Sequence, residues 1–410
     1  MVRVCDAIMG TGKSSAAITY INEHTDKLFI YIAPYLGEAT RIAQACPAMQ
    51  FYEPQKINKF NRSKTLHTLD LVSRGFNIAT THQAFRMYPP ELLEEIKAKG
   101  YTLIIDENVD VLDAPDDDSG DIQMAIDAGY LFEREDGQYG LIDGLYKGGA
   151  HNAFFRILRS RDITEVTYEE SSDENTYYFW RYPPDLINAF EDVFILTYLF
   201  RGQSLHNFLK LYEIPFSYIG VSLENGTYRF SDTVFYVPEY VKKLPDMIHI
   251  ESDRKLNAVG DEPFSLSMSW FEKDKCKEDI VRLKNNVYNF FRHKTKSKAK
   301  DRMWGTYKDD IHKIKGEGYT KQFVPFTQKA ENKYRDRNTL AYCVNIFMNV
   351  SQKLFYNAHG IEVDEDLFAL SIMVQWIWRS AIRDGKEITI YIPSRRMREL
   401  LEKWIQEVSA

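Results

Sequence analysis

The sequence lacks any run near the roughly 18 consecutive apolar residues that a membrane-spanning helix requires. Met1 to Cys5 runs straight into a glycine-rich motif rather than a charged and then apolar leader, so a soluble, cytoplasmic chain with no membrane partner is expected. Cysteine is scarce: Cys5, Cys46, Cys276 and Cys343 are the only 4, and none forms a Cys-x-x-Cys pair. A zinc ribbon and a disulfide framework are excluded, and reduced, buried thiols are expected. No charge of one sign dominates either, because 52 Lys+Arg stand against 59 Asp+Glu for a net −7. Any nucleic-acid contact must therefore be a local positive track, not a global basic character. Internal repeats and low-complexity tracts are also missing. What is present is apolar material in quantity: 44% hydrophobic residues, with 25 Phe and 26 Tyr, over 410 residues. That excludes global disorder and suits two or three domains.

Strands alternate with helices along the chain. Val2 to Asp6, Leu28 to Ala33, Phe76 to Thr80, Tyr101 to Ile105 and Val193 to Tyr198 read as strands. The run Tyr101 to Ile105 is continuously apolar, as expected for a central parallel strand covered on both faces. Between about 112 and 190 the composition turns acidic and turn-rich, at Asp113 to Asp121 and again at Glu169 to Thr176, and this stretch reads as an α+β insertion. A second pattern follows, with a strand over Phe264 to Trp270, a helix over Lys277 to Arg292 and a strand over Arg302 to Thr306. A helix-rich region from about Thr339 then leads to a strand over Glu387 to Ile392 and a helix over Arg395 to Val408. The expected domains are 1–245, carrying the insertion, and 250–410.

The chemistry begins at Ala7-Ile-Met-Gly-Thr-Gly-Lys-Ser14, a phosphate-loop pattern whose first glycine is alanine. Gly10, Thr11 and Gly12 allow successive backbone amides to turn toward phosphate oxygens, and a helix from Ser14 and Ser15 adds the positive end of its dipole. Lys13 would reach the β and γ phosphates, and Ser14 would ligate Mg²⁺, making ATP and Mg²⁺ the expected cofactors. Such a loop needs a second carboxylate at a neighbouring strand end. Ile104-Ile-Asp106-Glu107 supplies it: Asp106 to hold Mg²⁺ through water and Glu107 to polarise the attacking water.

Taken in order, these motifs resemble the superfamily 2 helicase and translocase family, with DEAD/DEAH-box-like members, in which two recombinase-like domains clamp a nucleotide. Gly10 to Ser14 looks like motif I, Ala33-Pro34 like motif Ia, Thr80-Thr81-His82 like the motif after it, Asp106-Glu107 like motif II and Leu196-Thr197-Tyr198 like motif III. Gln375-Trp-Ile-Trp-Arg379-Ser-Ala-Ile-Arg383 looks like motif VI, whose arginines reach the γ-phosphate in the family. On one continuous helix, positions 375, 379 and 383 would share a face. Trp378 stands where the family usually has glycine, and the last family arginine falls one residue before Arg383. Phe326 to Asn332 loosely resembles motif V, with Thr327 or Asn332 facing a sugar or phosphate and Arg335 and Arg337 as alternative fingers. The resemblance implies two tandem recombinase-like parallel-sheet domains in an α/β fold, and it is closest to helicase-like proteins of bacteriophages and mobile elements.

The function so implied is a nucleic-acid-dependent ATPase that translocates on, unwinds or remodels nucleic acid in phage-type replication or recombination. Single-stranded or forked DNA is favoured over RNA, and a replication or recombination protein is a further partner. Thr81, His82 and the basic run holding Lys294, Lys296, Lys298 and Lys300 are the candidate strand contacts. Three alternatives remain open. One is a catalytically slow helicase-fold scaffold. Another is a DNA-packaging, terminase-like ATPase with Asp364, Glu365 and Asp366 as nuclease acids. The third is a small-molecule kinase.

Overall fold

The computed structural model describes residues 1–113, 119–134, 137–142, 144–149, 151–170, 173–326 and 332–410. They form two compact units. The first comprises Met1–Ala7, Gly12–Tyr236 and Asn349–Val363, and the second Ile8–Thr11, Val237–Met348 and Asp364–Ala410.

The first unit is built on six parallel strands: β1 (Val2–Asp6), β2 (Phe29–Ala33), β3 (Ile78–Thr81), β4 (Thr102–Asp106), β5 (Asp192–Thr197) and β6 (Phe216–Tyr218). Their order across the sheet is β6-β1-β5-β4-β2-β3. The apolar runs are continuous because both faces are covered. Ile30, Ile32, Leu103 and Ile105 enter one core, while Phe29, Tyr31, Ala33 and Ile104 enter the other. The antiparallel hairpin β7 (Gly220–Glu224) and β8 (Thr227–Ser231) follows β6, and it has no counterpart among the expected elements. Within the expected insertion, Ser119–Asp127 and Asn152–Leu158 are helices beside a five-stranded sheet with a small core of Ile122, Leu131, Phe154, Phe155 and Trp180. The acidic runs at 113–121 and 169–176 fall partly outside the described residues.

The second unit carries four parallel strands, β9 (Ile248–Ile250), β10 (Arg302–Gly305), β11 (Thr339–Tyr342) and β12 (Ile388–Tyr391), ordered β9-β12-β11-β10. The protein is thus mixed α/β with two parallel sheets. Two expected elements are corrected here. Phe264 to Trp270 is not a strand. Ser267 caps a helix over Met268–Glu272 by accepting the Trp270 amide at 3.3 Å, and it is this helix that buries Trp270 and Phe271. The helix-rich region expected from Thr339 opens instead on β11, four fully buried residues between two parallel neighbours.

Candidate nucleotide site

The site in the first unit is assembled at the carboxyl ends of β1 and β4, where open α/β sheets bind ligands. Strand β1 extends by one rung, Ala7 N–H to Thr197 O at 3.0 Å, and the chain then turns through the glycine loop. Gly10 and Gly12 both have φ of 85°, the left-handed region, and helix α1 (Lys13–Glu23) starts directly after Gly12. Gly12 is constrained a second way: a Cβ there would lie 2.3 Å from the Tyr228 ring carried by β8. Thr11 is buried and its hydroxyl donates to Ile8 O at 2.8 Å. In the second unit's own segment, the Tyr240 hydroxyl donates to Met9 O and its ring lies 3.3 Å from where a Gly10 Cβ would be. Ser15 is exposed on α1.

Lys13 donates its ammonium to Ala7 O. Burial pushes its pKa below the ordinary lysine value, a shift that Cys5, Asp106, Asp6 and Glu107 only partly oppose. Asp106 is 7% exposed and receives three neighbours. Tyr31 Oη donates to its Oδ2 at 2.8 Å, Ser14 Oγ reaches the same oxygen at 3.2 Å, and His82 Nε2 lies 2.7 Å from its backbone carbonyl. A carbonyl only accepts, so Nε2 carries the proton. Burial raises the Asp106 pKa, against which the Tyr31 hydroxyl, Ser14 and Lys13 work. Glu107 has φ of 65°, a left-handed conformation rare outside glycine, and its amide donates to Leu196 O at 2.9 Å. Such a position costs on the order of 1–3 kcal/mol and tends to persist where the surroundings impose it. It turns the chain sharply out of the sheet one residue after Asp106.

These residues fit a magnesium nucleotide. Ser14 Oγ and Asp106 Oδ2 are hard oxygen donors side by side, the ligand type Mg²⁺ takes. The left-handed Gly12 and the start of α1 present the free backbone amides of a helix amino terminus, the kind of group that binds phosphate. Tyr31, His82 and Asp6 were not singled out from sequence for this role. A signal existed for Tyr31, since a tyrosine inside a continuous buried strand needs a partner for its hydroxyl. Asp6 Oδ2 accepts the Phe200 amide at 3.1 Å and joins β1 to the turn after β5, a long-range contact without sequence signature.

His82 is corrected as a strand contact: at 4% exposure, its ring bonds the Asp106 backbone carbonyl and holds the end of β4 from inside. Thr81 caps the short helix after β3 by accepting the Ala84 amide at 3.4 Å. In the expected motif III, the Thr197 hydroxyl donates to Gln203 Oε1 at 2.7 Å, and Gln203 in turn donates to Tyr198 O at 2.8 Å.

In the second unit, the single helix face expected for 375, 379 and 383 is not formed. Helix α2 (Glu365–Ile377) ends before Arg379, Ser380 is extended with ψ of −169°, and Arg383 lies on a separate 3₁₀ turn, Ala381–Asp384. Gln375 is half-buried on α2 and Arg383 is exposed. Arg379 is 6% exposed and donates to Pro325 O at 2.9 Å and Phe326 O at 3.5 Å. Trp378, in place of the family glycine, packs on Trp404 and Tyr240 with ring centroids 5.7 and 6.3 Å away. Arg335 pairs with Asp384, while Arg337 bonds the Ala299 and Lys300 carbonyls. Thr327 lies outside the described residues. Asp364 caps α2 through the Leu367 amide at 2.9 Å and Asp366 pairs with Arg396 at 2.7 Å, so these acids have helix-end roles. Among the described residues no group of three or more His, Cys, Asp or Glu is placed to hold a metal ion.

Lys294 pairs with Asp253 at 2.5 Å, and Lys296, Lys298 and Lys300 are exposed. All four cysteines are buried and free, and burial pushes the Cys5 thiol up to about 11. No helix among the described residues is long and apolar enough to cross a membrane.

Residues 242–405 match the family model described as the YonV C-terminal Rossmann-like domain. Over 99% of this chain and 98% of the other, the sequence is 35% identical to the SPbeta prophage-derived uncharacterized protein YonV of Bacillus subtilis (strain 168). The chain belongs to the YonV family. Among solved structures it is similar to S. tokodaii Xpd4, with a TM-score of 0.46 and 11% identity over 98% of this chain and 94% of that one. It also matches a DEAD box protein from the hyperthermophile Methanococcus jannaschii, with a TM-score of 0.25 and 11% identity over 99% of this chain and 86% of that one. The YonV Rossmann-like match falls on the strands β9 to β12.

Proposed function

We propose that this YonV-family protein is a magnesium-dependent ATPase of superfamily 2 helicase type that acts on nucleic acid. The observation that carries this reading is the convergence of Lys13, Ser14 and Asp106 at the carboxyl edge of one parallel sheet, with Ser14 and Asp106 3.2 Å apart. In this reading the loop amides and Lys13 hold the phosphates, Ser14 and Asp106 hold Mg²⁺, which neutralises charge on the phosphates, and Glu107 orients the attacking water. Exposed Arg383 is the better finger, because Arg379 is already committed to two backbone carbonyls. The cycle would drive translocation on, or remodelling of, a strand, with DNA in phage-type replication or recombination favoured by the prophage origin of its relative.

The test is ATP hydrolysis by the full chain and by Lys13→Ala, with and without single-stranded DNA, forked duplex and RNA. Hydrolysis stimulated by one nucleic acid and lost in Lys13→Ala supports the motor and identifies its track. ATP binding with no hydrolysis under any condition sinks it. That result would favour a second reading, a slow helicase-fold scaffold, for which Trp378 and the buried Arg379 are the specific support.

A further inference from the structure

The loop joining the helix Lys277–Asn289 to β10 is held from inside by one buried arginine. Arg302, 6% exposed, donates to Ser297 Oγ at 3.0 Å, Phe291 O at 3.1 Å and Gly318 O at 2.9 Å, and also to Ser297 O. The Thr295 hydroxyl is tied to Phe290 O at 3.1 Å. With Thr295 and Ser297 fixed inward, the alternate residues Lys294, Lys296 and Lys298 are carried on a rigid support. Lys296 has φ of 49°, a left-handed position uncommon for a lysine.

These three lysines line a cavity of about 630 Å³ whose other wall is the amino-terminal ends of β9, β11 and β12, including His249, Asn338 and Thr389. This is the edge opposite the carboxyl-end crevice where such sheets ordinarily bind ligands. The wall also carries three acids: Glu387 lies 3.0 Å from His249, Glu251 accepts the Asp253 amide at 2.9 Å, and Asp301 stands next to Arg302 in the chain. Lys294 is paired with Asp253. Among the described residues no carboxylate lies within ion-pair distance of Lys296 or Lys298, whose charges therefore face solvent and the cavity. The volume falls within the range of small-ligand sites, about 300–1,000 Å³.

We propose that this cavity binds a nucleic-acid strand by its phosphates, Lys296 and Lys298 each meeting one phosphate while a nucleotide unit enters against Asn338 and Thr389. The proposal deepens the nucleic-acid part of the function above, but it requires no hydrolysis and is tested without ATP. The probe is a fluorescein-labelled single-stranded DNA, with an RNA of the same sequence, titrated with the full chain by anisotropy over a salt series. Each phosphate contact on a single strand contributes about 0.7 to the salt slope, or about 5-fold in affinity at 0.1 M salt. The double variant Lys296→Ala/Lys298→Ala should therefore bind about 25-fold more weakly with a slope lower by about 1.4, and Lys296→Arg/Lys298→Arg should retain binding. Both lysines are exposed, so the fold survives either change, and unchanged binding of a fluorescent ATP analogue checks this. An alanine variant with wild-type affinity and slope overturns the proposal. Displacement of the strand by millimolar nucleoside monophosphate, itself bound only when the two lysines are present, also overturns it and assigns the cavity to a free phosphate ligand.

Discussion

Tyr31 Oη stands 2.8 Å from Asp106 Oδ2, a contact between two parallel strands that share a hydrogen-bonded ladder. The register pairs Tyr31 with Ile104, so the phenol spans two residues along the sheet to reach the carboxylate at the strand end. Removing the hydroxyl leaves a fully buried ring of nearly the same size and a carboxylate missing one donor. A buried hydrogen bond to a charged group contributes about 1.5–3 kcal/mol. Tyr31→Phe should lose that much stability in urea denaturation followed by far-ultraviolet circular dichroism. An unchanged midpoint would mean that the hydroxyl does not support Asp106.

Gly12 carries two separate constraints, a φ of 85° and the Tyr228 ring 2.3 Å from any added Cβ. Gly12→Ala should abolish nucleotide binding and destabilise the chain by at least about 1 kcal/mol from the backbone conformation alone. Tyr228→Ala in the same molecule removes the collision but not the conformational cost. The double variant should thus recover part of the lost stability and deviate from additivity in a double-mutant cycle. Additive losses would mean that the hairpin ring moves away from the loop without cost.

Much of this site was legible in the sequence because its parts are local. The glycine loop lies between a strand and a helix, and Asp106-Glu107 ends a continuously apolar run, so spacing alone pointed to both. Five of the six strands of the first sheet were legible for the same reason, as each is an apolar run closed by a turn, whereas β6 is a three-residue edge strand, Phe-Ser-Tyr, with no such run. What escaped is non-local. Tyr31, His82 and Asp6 act through partners 75, 24 and 194 positions away. Strand β9 is a three-residue edge strand, too short for periodicity to register. The motif VI face failed because helical spacing was extended past Ile377, where the chain turns so that Arg379 can meet the 325–326 carbonyls. The region 264–270 alternates like a strand, yet the Ser267 cap outweighs that alternation.

Asp192 opens β5 and gathers three cations, with Lys27 at 3.0 Å, Arg3 at 3.1 Å and the terminal amine at 3.8 Å. Burial pushes its carboxyl up, but the Lys27 hydrogen bond, Arg3, the Lys27 charge and the terminus overcome this and hold it below the ordinary value. A depressed carboxylate contributes stability above its unfolded pKa, near 3.9, and that contribution is lost as pH falls through the folded value. Asp192→Asn should therefore cost about 1 kcal/mol at pH 7, and the gap to the natural sequence should begin to narrow near pH 4 and close only below the depressed folded value. A gap that stays constant from pH 7 to pH 3 would assign the loss to packing instead of charge.

Arg379 and Arg383 separate structure from chemistry in the second unit. Arg379 is buried with its guanidinium on the Pro325 and Phe326 carbonyls, so Arg379→Ala strands two acceptors and leaves a cavity where the stem was. A loss of about 1.5–3 kcal/mol is expected, with Arg379→Lys only partly restoring it, because one ammonium does not reproduce the planar fork. Arg383 is exposed on the Ala381–Asp384 turn, and its truncation should leave the unfolding midpoint within about 0.5 kcal/mol of the natural protein. If Arg383 is the finger, the same variant should lower the ATP turnover rate about 10³-fold while nucleotide affinity is nearly kept, since the arginine acts on transition-state charge. The informative comparison is therefore turnover against midpoint for each variant. Turnover lost only in Arg379→Ala, with its midpoint intact, would reverse the assignment and require the 325–326 contacts to be exchanged for phosphate during the cycle.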